Sequence, residues 1–180
     1  MDKFATKILK ATVYRSMSSL LKFAGFLKNV SIILLTVALF LVYAFIHEPA
    51  GLWFDEKGRQ VLSIPKNSFF YYSLLAGLAS NIIFHLFKTI YLNPFKRSNP
   101  LSGNKISVTM LVWWQFLIMS VNLFLMGLIV FTGFANNAGN YSFSSITFIP
   151  VLGISPLVIT LLAFPVMYFF SLKQAGNHAV

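Results

Sequence analysis

Residues 107–133 read SVTMLVWWQFLIMSVNLFLMGLIVFTG, a stretch of 27 residues without a charged side chain. A helix of about 20 apolar residues is long enough to cross a hydrocarbon core of roughly 30 Å. Because water does not reach that core, every backbone amide in it must be satisfied within the chain, which a helix achieves. The stretch therefore predicts a transmembrane helix.

Three further stretches have the same apolar character. They cover residues 29–46, 69–90 and 146–171, and short polar loops separate all four. The hydrophobic content of 57% and the charged content of 10% also lie far from the averages of soluble proteins. We therefore predict an all-α membrane protein with four transmembrane helices.

The basic residues are distributed unevenly between the two ends of these helices. Eleven of the fourteen Lys and Arg precede the first helix, flank the loop after the second or follow the fourth. The other three lie in the loop between the first two helices, together with the acidic residues Glu48, Asp55 and Glu56. Cytoplasmic loops carry the excess of Lys and Arg, so we expect both termini in the cytoplasm. The same bias accounts for the net charge of +10 without a nucleic-acid partner.

This topology divides the chain into three parts. We predict a cytoplasmic basic segment at residues 1–28, a four-helix transmembrane domain at 29–171 and a cytoplasmic tail at 172–180. Within residues 3–24, basic and apolar side chains fall on separate helical stripes, which suits a helix on the membrane surface before the chain turns into the bilayer. Its basic residues would attract the anionic lipids of the cytoplasmic face. A topology signal with fortuitous periodicity is the alternative.

The loop between the first two helices predicts a short external β-hairpin. Residues 51–54 and 59–64 flank Asp55-Glu56-Lys57-Gly58, in which Asp and Gly suit the first and fourth positions of a type I turn. Gly58 could take a positive φ and close the hairpin with a bulge. Trp53 and Phe54 would then lie at the level of the lipid headgroups. Since a lone hairpin is marginally stable, we expect this contact loop, Trp53 to Gly58, to lean on the bilayer or a partner.

Part of this loop resembles a known family. The residues that carry the resemblance are Glu48-Pro49, Leu52-Trp53-Phe54-Asp55, Gly58 and Lys66. They are similar to one external loop of the bacterial membrane proteins grouped with the sporulation-delay toxin immunity protein. The resemblance implies a bacterial inner-membrane protein connected with toxin resistance or signalling. It is confined to this loop, and the chain lacks the His or Asn within the aromatic stretch and the second acid after the glycine that the family usually carries.

The second helix carries the clearest polar face. Small and polar residues recur at every fourth position from Ser73 to His85 and therefore share one side of the helix. The third helix offers Gln115 and Asn122, two turns apart. An antiparallel pairing would bring Asn81 near Asn122 and His85 near Gln115. Hydrogen bonds among these four candidate contacts would hold the helices together, and a proton or ligand path through the bundle is the functional alternative.

The sequence predicts neither an enzyme nor a cofactor site. No acidic residue lies within any of the four helices, and the chain has no cysteine. Its three histidines, His47, His85 and His178, are too widely separated to supply a pair of haem ligands in one bundle. No nucleophile has a suitably spaced base beside it. We therefore expect a protein without catalytic activity, cofactor or metal.

Two further patterns concern the third and fourth helices. Trp113 and Trp114, at the start of the third, are predicted to anchor it at the membrane interface. Pro150, Pro156 and Pro165 are predicted to break or kink the fourth, because proline removes a helical hydrogen bond.

Three classes of function remain open. The first, which we favour, is an accessory subunit of a larger membrane complex that contacts lipids, other subunits or copies of itself. The second is a small transporter or channel component that uses the strip around Asn81 and His85. The third is a toxin-immunity or sensor protein whose external hairpin contacts a ligand.

Overall fold

The computed structural model describes residues 3–55, 57–92, 103–137 and 143–176. Four helices in these ranges are long and apolar enough to cross a membrane. The predicted all-α class with four candidate spans and a small hairpin is thereby confirmed, whereas the orientation in the membrane stays a prediction. Glu56 of the predicted turn, the linker at 93–102 and the last four residues of the predicted tail lie outside the described residues.

The secondary structure runs in the order helix, hairpin and three helices. The helices are α1 (Lys3–Phe45), α2 (Lys66–Phe87), α3 (Gly103–Asn136) and α4 (Phe148–Gly176). The strands are β1 (Ala50–Phe54) and β2 (Gln60–Ile64). A π-helical turn at Lys88–Leu92 follows α2, and a 3₁₀ turn at Phe143–Ser145 precedes α4.

Helix α3 is the central element of the bundle. In its most apolar window 39% of the residues are buried, against 11–17% for the other three helices. Glycines allow its neighbours to approach closely. A Cβ atom on Gly127 would lie 3.1 Å from the Cα atom of Gly153 on α4, and one on Gly133 would lie 2.8 Å from Val42 Cγ2 on α1. Small residues serve this purpose in membrane bundles, where close backbone packing drives association.

A hydrophobic cluster joins α1, α2, α3 and the hairpin at the end of the bundle where the hairpin lies. Its fully buried members are Leu35, Leu39, Ile46, Ala50, Phe69 and Ile129. Away from this cluster α2 packs much less closely on α1 and α3 than α4 packs on α3. The loose packing leaves cavities along both sides of α2.

The hairpin forms as predicted. β1 and β2 pair antiparallel with a bulge in the register. Gly58 adopts a φ of 76°, and its N–H donates to Asp55 O at 2.9 Å, as the turn requires. The Asp55 N–H in turn donates to Arg59 O at 2.9 Å. The positive φ predicted for Gly58 is therefore confirmed.

The structure corrects the expected break in the first helix. α1 is one uninterrupted helix of 43 residues, so the predicted boundary at residue 28 is not the end of a helix. Charge patterning reports where a helix leaves the lipid rather than where its backbone bends. That residues 1–28 lie on a membrane surface stays a prediction, and the side chains of residues 3–15, which carry most of its basic stripe, lie outside the described ones.

The fourth helix is not broken by its prolines, whereas the predicted kink stays a prediction. It is continuous through Pro156 and Pro165, and Pro150 lies in its first turn, where a missing N–H leaves no helical bond unmade. The carbonyl of Leu152, which Pro156 deprives of its usual donor, accepts the Ser155 hydroxyl at 3.0 Å. Such a substitute donor is how membrane helices accommodate proline.

Candidate functional site

A cluster of three polar side chains ties α1, α2 and α3 together in the middle of the bundle. The Asn81 side-chain amide donates to Asn122 Oδ1 at 2.8 Å and to the Gly77 carbonyl at 2.9 Å. Asn122 is fully buried and donates to Ser31 Oγ at 3.0 Å. Ser31 completes the cluster by donating to the Lys28 carbonyl at 2.7 Å. The antiparallel pairing of α2 and α3 thus places Asn81 against Asn122 as the sequence predicted.

Hydrogen bonds inside the protein use most of this cluster's polar capacity. Both amide hydrogens of Asn81 are engaged, and Asn122 uses both its oxygen and its nitrogen. An amide carries two donor hydrogens, so Asn81 has no further hydrogen to offer a passing solute. The contact accordingly fits interhelical attachment better than a conducting path.

The two tryptophans of α3 form hydrogen bonds to the two neighbouring helices α4 and α2. Trp113 donates from Nε1 to the Thr160 carbonyl on α4 at 2.8 Å, and Trp114 donates to the Phe84 carbonyl on α2 at 2.9 Å. The hydroxyls of Ser120 and Thr160 share a further buried bond of 2.9 Å between α3 and α4. Both indole N–H groups are therefore used within the protein, whereas a position of the two tryptophans at the membrane interface stays a prediction.

Asn136, the last residue of α3, attaches the hairpin to the bundle. Its Oδ1 accepts the Gly51 N–H at 2.7 Å, while its Nδ2 donates to the Gly51 carbonyl at 2.9 Å. The same oxygen accepts Gln60 Nε2 at 3.0 Å, so both strands are held. A Cβ on Gly51 would lie 2.7 Å from Gln60 Cγ, so a larger residue there would require the Gln60 side chain to move. The hairpin is thus supported by α3 of its own chain, whereas the expected contact with the bilayer or a partner stays a prediction.

Sequence reasoning did not single out Asn136. A paired Asn136-Asn137 at the end of a long apolar stretch was the available signal, because two amides there need partners that lipid cannot supply. The identity of the partner required the position of the hairpin relative to α3, which the sequence does not give.

The tip of the hairpin has its own electrostatics. The N–H groups of Arg59 and Lys57 donate to Asp55 Oδ1 at 2.8 and 2.9 Å, and the Arg59 guanidinium bonds Asp55 Oδ2 at 2.8 Å. The Arg59 backbone bond is the largest cause that lowers the pKa of Asp55 from its usual 3.8. Trp53 is 67% exposed, whereas Phe54 is half-buried and meets Phe131 of α3 edge to face. Of the predicted contact loop, the structure thus leaves Trp53 as the exposed aromatic residue.

Beneath the hairpin lies an apolar cavity of about 580 Å³, which we call the hairpin cavity. The hairpin covers it, α3 forms its floor, and its walls come from α2 and the start of α4. Almost all of its lining is apolar or aromatic. The lining residues on α2 and α4 are Phe69, Tyr72, Ser73, Ala76 and Pro150.

A second cavity of about 330 Å³ lies at the opposite end of the bundle, between α1, α2 and α3. We call it the basic cavity. Its polar lining residues are Lys28, Asn81, His85, Lys88 and Gln115. His85 and Gln115 therefore line the same cavity, but His85 makes no hydrogen bond to Gln115 Oε1, so the bond predicted between them at this oxygen is not made. Gln115 is only 7% exposed, and its Oε1 has no hydrogen-bond partner within the described part of the chain.

Neither cavity contains a set of groups for catalysis or metal binding. Within residues 3–55, 57–92, 103–137 and 143–176, no three His, Asp or Glu lie close enough to hold a metal ion. The linings of both cavities lack carboxylates, and His85 is the one histidine among them. The hairpin cavity offers apolar contacts, and the basic cavity offers positive charge and one unpaired acceptor, Gln115 Oε1.

No family model matches the chain, and no curated protein or solved structure is similar to it.

Proposed function

We propose that this protein is a non-catalytic accessory subunit of a membrane complex, and that the hairpin cavity receives a transmembrane helix of a partner subunit. The observation that carries the proposal is the cavity itself. It is an apolar recess of about 580 Å³ between α2 and α4, large enough to accept side chains from another helix.

The walls of the hairpin cavity favour a helix as its occupant. Ser73 and Ala76 present small side chains from α2, and small residues allow the backbone of a second helix to approach. Tyr72, which is exposed, and Phe131 border the same space with aromatic rings. A helix lying across this side would bury the outward faces of α2 and α4, which α3 alone does not cover.

The polar interior supports an accessory role over transport. The strip on which a transport function would depend includes Asn81, and that side chain is bonded to Asn122 and to its own helix. A carrier site needs polar groups that exchange partners with a solute, whereas both amide hydrogens of Asn81 are already engaged. The buried bonds from α3 to all three other helices suit a rigid subunit.

For the location, we propose a bacterial inner membrane with both termini in the cytoplasm. The orientation is supported by the concentration of Lys and Arg in the predicted cytoplasmic parts. Both acidic residues within the described ranges, Glu48 and Asp55, lie at the hairpin end, which this orientation makes external.

Site-specific cross-linking tests the accessory-subunit proposal. A photoreactive phenylalanine analogue at Ala76 would project into the hairpin cavity, and the same analogue at Ile33 would project from the exposed side of α1. We expect one discrete protein adduct from native membranes at position 76 and none at 33. Adducts at both positions, or only lipid adducts at 76, would contradict the proposal.

Purification in mild detergent provides an independent test of the same proposal. The tagged protein should co-purify with other subunits in a stoichiometric ratio. Ala76→Phe, which places an aromatic ring in the hairpin cavity, should abolish this co-purification while the protein remains folded. A wild-type protein that is isolated alone, or only with copies of itself, would reject this function.

One observation favours a second candidate, a toxin-immunity or sensor protein. Asn136 fixes the hairpin, and the fixed hairpin presents Trp53 with 67% of its surface exposed. A rigid, exposed tryptophan is typical of a residue that anchors a binding surface. Replacing Trp53 with Ser should abolish protection or signalling in this case and leave assembly of a membrane complex intact.

A further inference from the structure

We propose that the basic cavity binds the headgroup of an anionic phospholipid, and that this headgroup carries both a phosphate and a free hydroxyl. The proposal concerns the end of the bundle opposite the hairpin. It does not depend on the accessory-subunit function, because neither Ala76 nor Trp53 lines this cavity.

The charge of the basic cavity selects an anion. Lys28 comes from α1 and Lys88 from the turn that follows α2, so two lysines from different elements line the cavity. The residues that line it include no Asp or Glu. Lysine binds phosphate oxygens through charge-assisted hydrogen bonds, which are stronger than bonds between neutral groups.

The unpaired oxygen of Gln115 adds a second requirement. A side-chain oxygen that is buried without a partner is costly, and it can be satisfied only by a donor. No donor in the lining bonds to this oxygen, neither the two lysines nor His85, and both amide hydrogens of Asn81 are engaged elsewhere. A phosphodiester offers acceptors only, whereas a headgroup hydroxyl offers the missing hydrogen. The lining thus fits phosphate and hydroxyl together.

The depth of the basic cavity matches the position of lipid headgroups. Lys88 lies 22 residues after Lys66 along α2 and its π-helical extension, which corresponds to about 33 Å of helix and therefore to the thickness of a hydrocarbon core. Leu78, Ile82 and Leu86 line the cavity and are each more than half exposed, so it opens sideways. A headgroup could therefore enter from the surrounding lipid.

A narrow seam beside the basic cavity provides space for part of an acyl chain. A smaller cavity of about 80 Å³ continues between α1 and α2 toward the hairpin. It shares Ile32, Leu78 and Asn81 with the basic cavity, and Leu35 and Leu39 border it further along. Its mostly apolar lining begins where the basic residues end. The charged and apolar parts therefore follow one another as the headgroup and the acyl chain do in a phospholipid.

Native mass spectrometry of the full chain in nonionic detergent tests the proposal. Three lipids with identical acyl chains are added: phosphatidylglycerol, phosphatidylmethanol and phosphatidylcholine. The first two carry the same phosphodiester charge, but phosphatidylmethanol has no hydroxyl, and phosphatidylcholine is zwitterionic. We expect phosphatidylglycerol to bind most tightly and phosphatidylcholine least tightly, with one lipid per chain.

Variants assign the binding to particular side chains. Each of Lys28→Gln and Lys88→Gln should weaken both anionic lipids about fivefold, as expected for a lysine near an anionic lipid surface. Gln115→Leu should weaken phosphatidylglycerol about fivefold, the worth of one hydrogen bond, and leave phosphatidylmethanol unchanged. Lys57→Gln, an exposed lysine on the hairpin, is the matched control and should change nothing.

Equal affinity for phosphatidylglycerol and phosphatidylcholine would overturn the proposal. An unchanged lipid preference in lysine variants that still elute as folded protein would also overturn it. Glycerol phosphate is added as a soluble competitor to distinguish the source of the anion. Failure to displace the lipid supports a lipid site, whereas displacement at comparable concentration would reject the lipid and assign the phosphate and hydroxyl to a soluble ester.

Discussion

The side-chain amide of Asn136 pairs with the backbone of Gly51 on both of its polar atoms, at 2.7 and 2.9 Å. The arrangement imitates a residue of a neighbouring strand, so the end of α3 serves as a third partner for the hairpin. Hairpins of two strands are marginally stable alone. The contact explains why this one is ordered beside the bundle.

Replacing Asn136 with Leu should release the hairpin from α3. The change leaves the Gly51 N–H and carbonyl without their partner, and we expect a loss of about 1–3 kcal/mol in the local stability of residues 50–64. Hydrogen exchange followed by mass spectrometry should show faster exchange in β1 and β2 and unchanged exchange in α3.

Asn137→Leu is the matched control for this prediction. Asn137 directly follows α3, and within the described residues its side chain donates to the Gly133 carbonyl of that helix at 2.9 Å, so the hairpin should keep its protection. Equal acceleration of hairpin exchange in both variants would show that the pairing with Gly51 does not hold the hairpin.

The contact between Asn81 and Asn122 should be measurable as a coupling energy between α2 and α3. In a double-mutant cycle with Asn81→Leu and Asn122→Leu, we expect a coupling of about 0.6 kcal/mol, and no more than about 1.7 kcal/mol, as found for polar contacts in membrane bundles. Reversible unfolding in mixed micelles supplies the four free energies of unfolding.

A double-mutant cycle between Asn81 and Asn137 is the reference for that measurement, because the described side-chain bond of Asn137 goes to Gly133 of α3 and does not involve α2. Its coupling should be close to zero. A coupling for Asn81 and Asn122 that does not exceed the reference would argue that their 2.8 Å bond contributes nothing to helix association.

The pairing of α2 with α3 and the turn of the hairpin could be predicted because each depends on local spacing. Polar residues repeating every four positions define one face of α2, and an antiparallel neighbour with amides seven apart leaves few ways to match them. Gly58 with Asp55 three residues earlier determines a turn on its own. In both cases the residues that determine the structure lie close together in the sequence.

The contacts that sequence reasoning missed depend on which helices are neighbours. Trp113 and Trp114 are of the residue type that is enriched at membrane interfaces. Only the positions of the neighbouring helices show that the Thr160 carbonyl of α4 accepts the Trp113 N–H. The Phe84 carbonyl of α2 accepts the Trp114 N–H in the same way. Gln115 likewise reads as one more amide for packing. Its unpaired oxygen becomes visible only when the surrounding cavity is known.

The carboxylate of Asp55 should titrate below its usual pKa of 3.8 because the Arg59 N–H, the Arg59 guanidinium and the Lys57 N–H all favour its charged form. A folded-state pKa below the unfolded value means that the group stabilises the hairpin tip above the unfolded pKa. That contribution is lost as the pH falls through the folded-state pKa. The tip should therefore be unchanged between about pH 5 and 8 and loosen only under stronger acid.

The amide resonances of Lys57 and Arg59 report this titration directly, since both N–H groups donate to Asp55 Oδ1. In selectively ¹⁵N-labelled protein in nonionic detergent, both should shift together with a midpoint below 3.8. Asp55→Asn removes the titrating group and should abolish the transition in that range while the remaining amides behave as before. A midpoint at or above 3.8 would mean that the Asp55 carboxylate is not held by these donors in solution, because the bonds would then provide no net preference for its charged form.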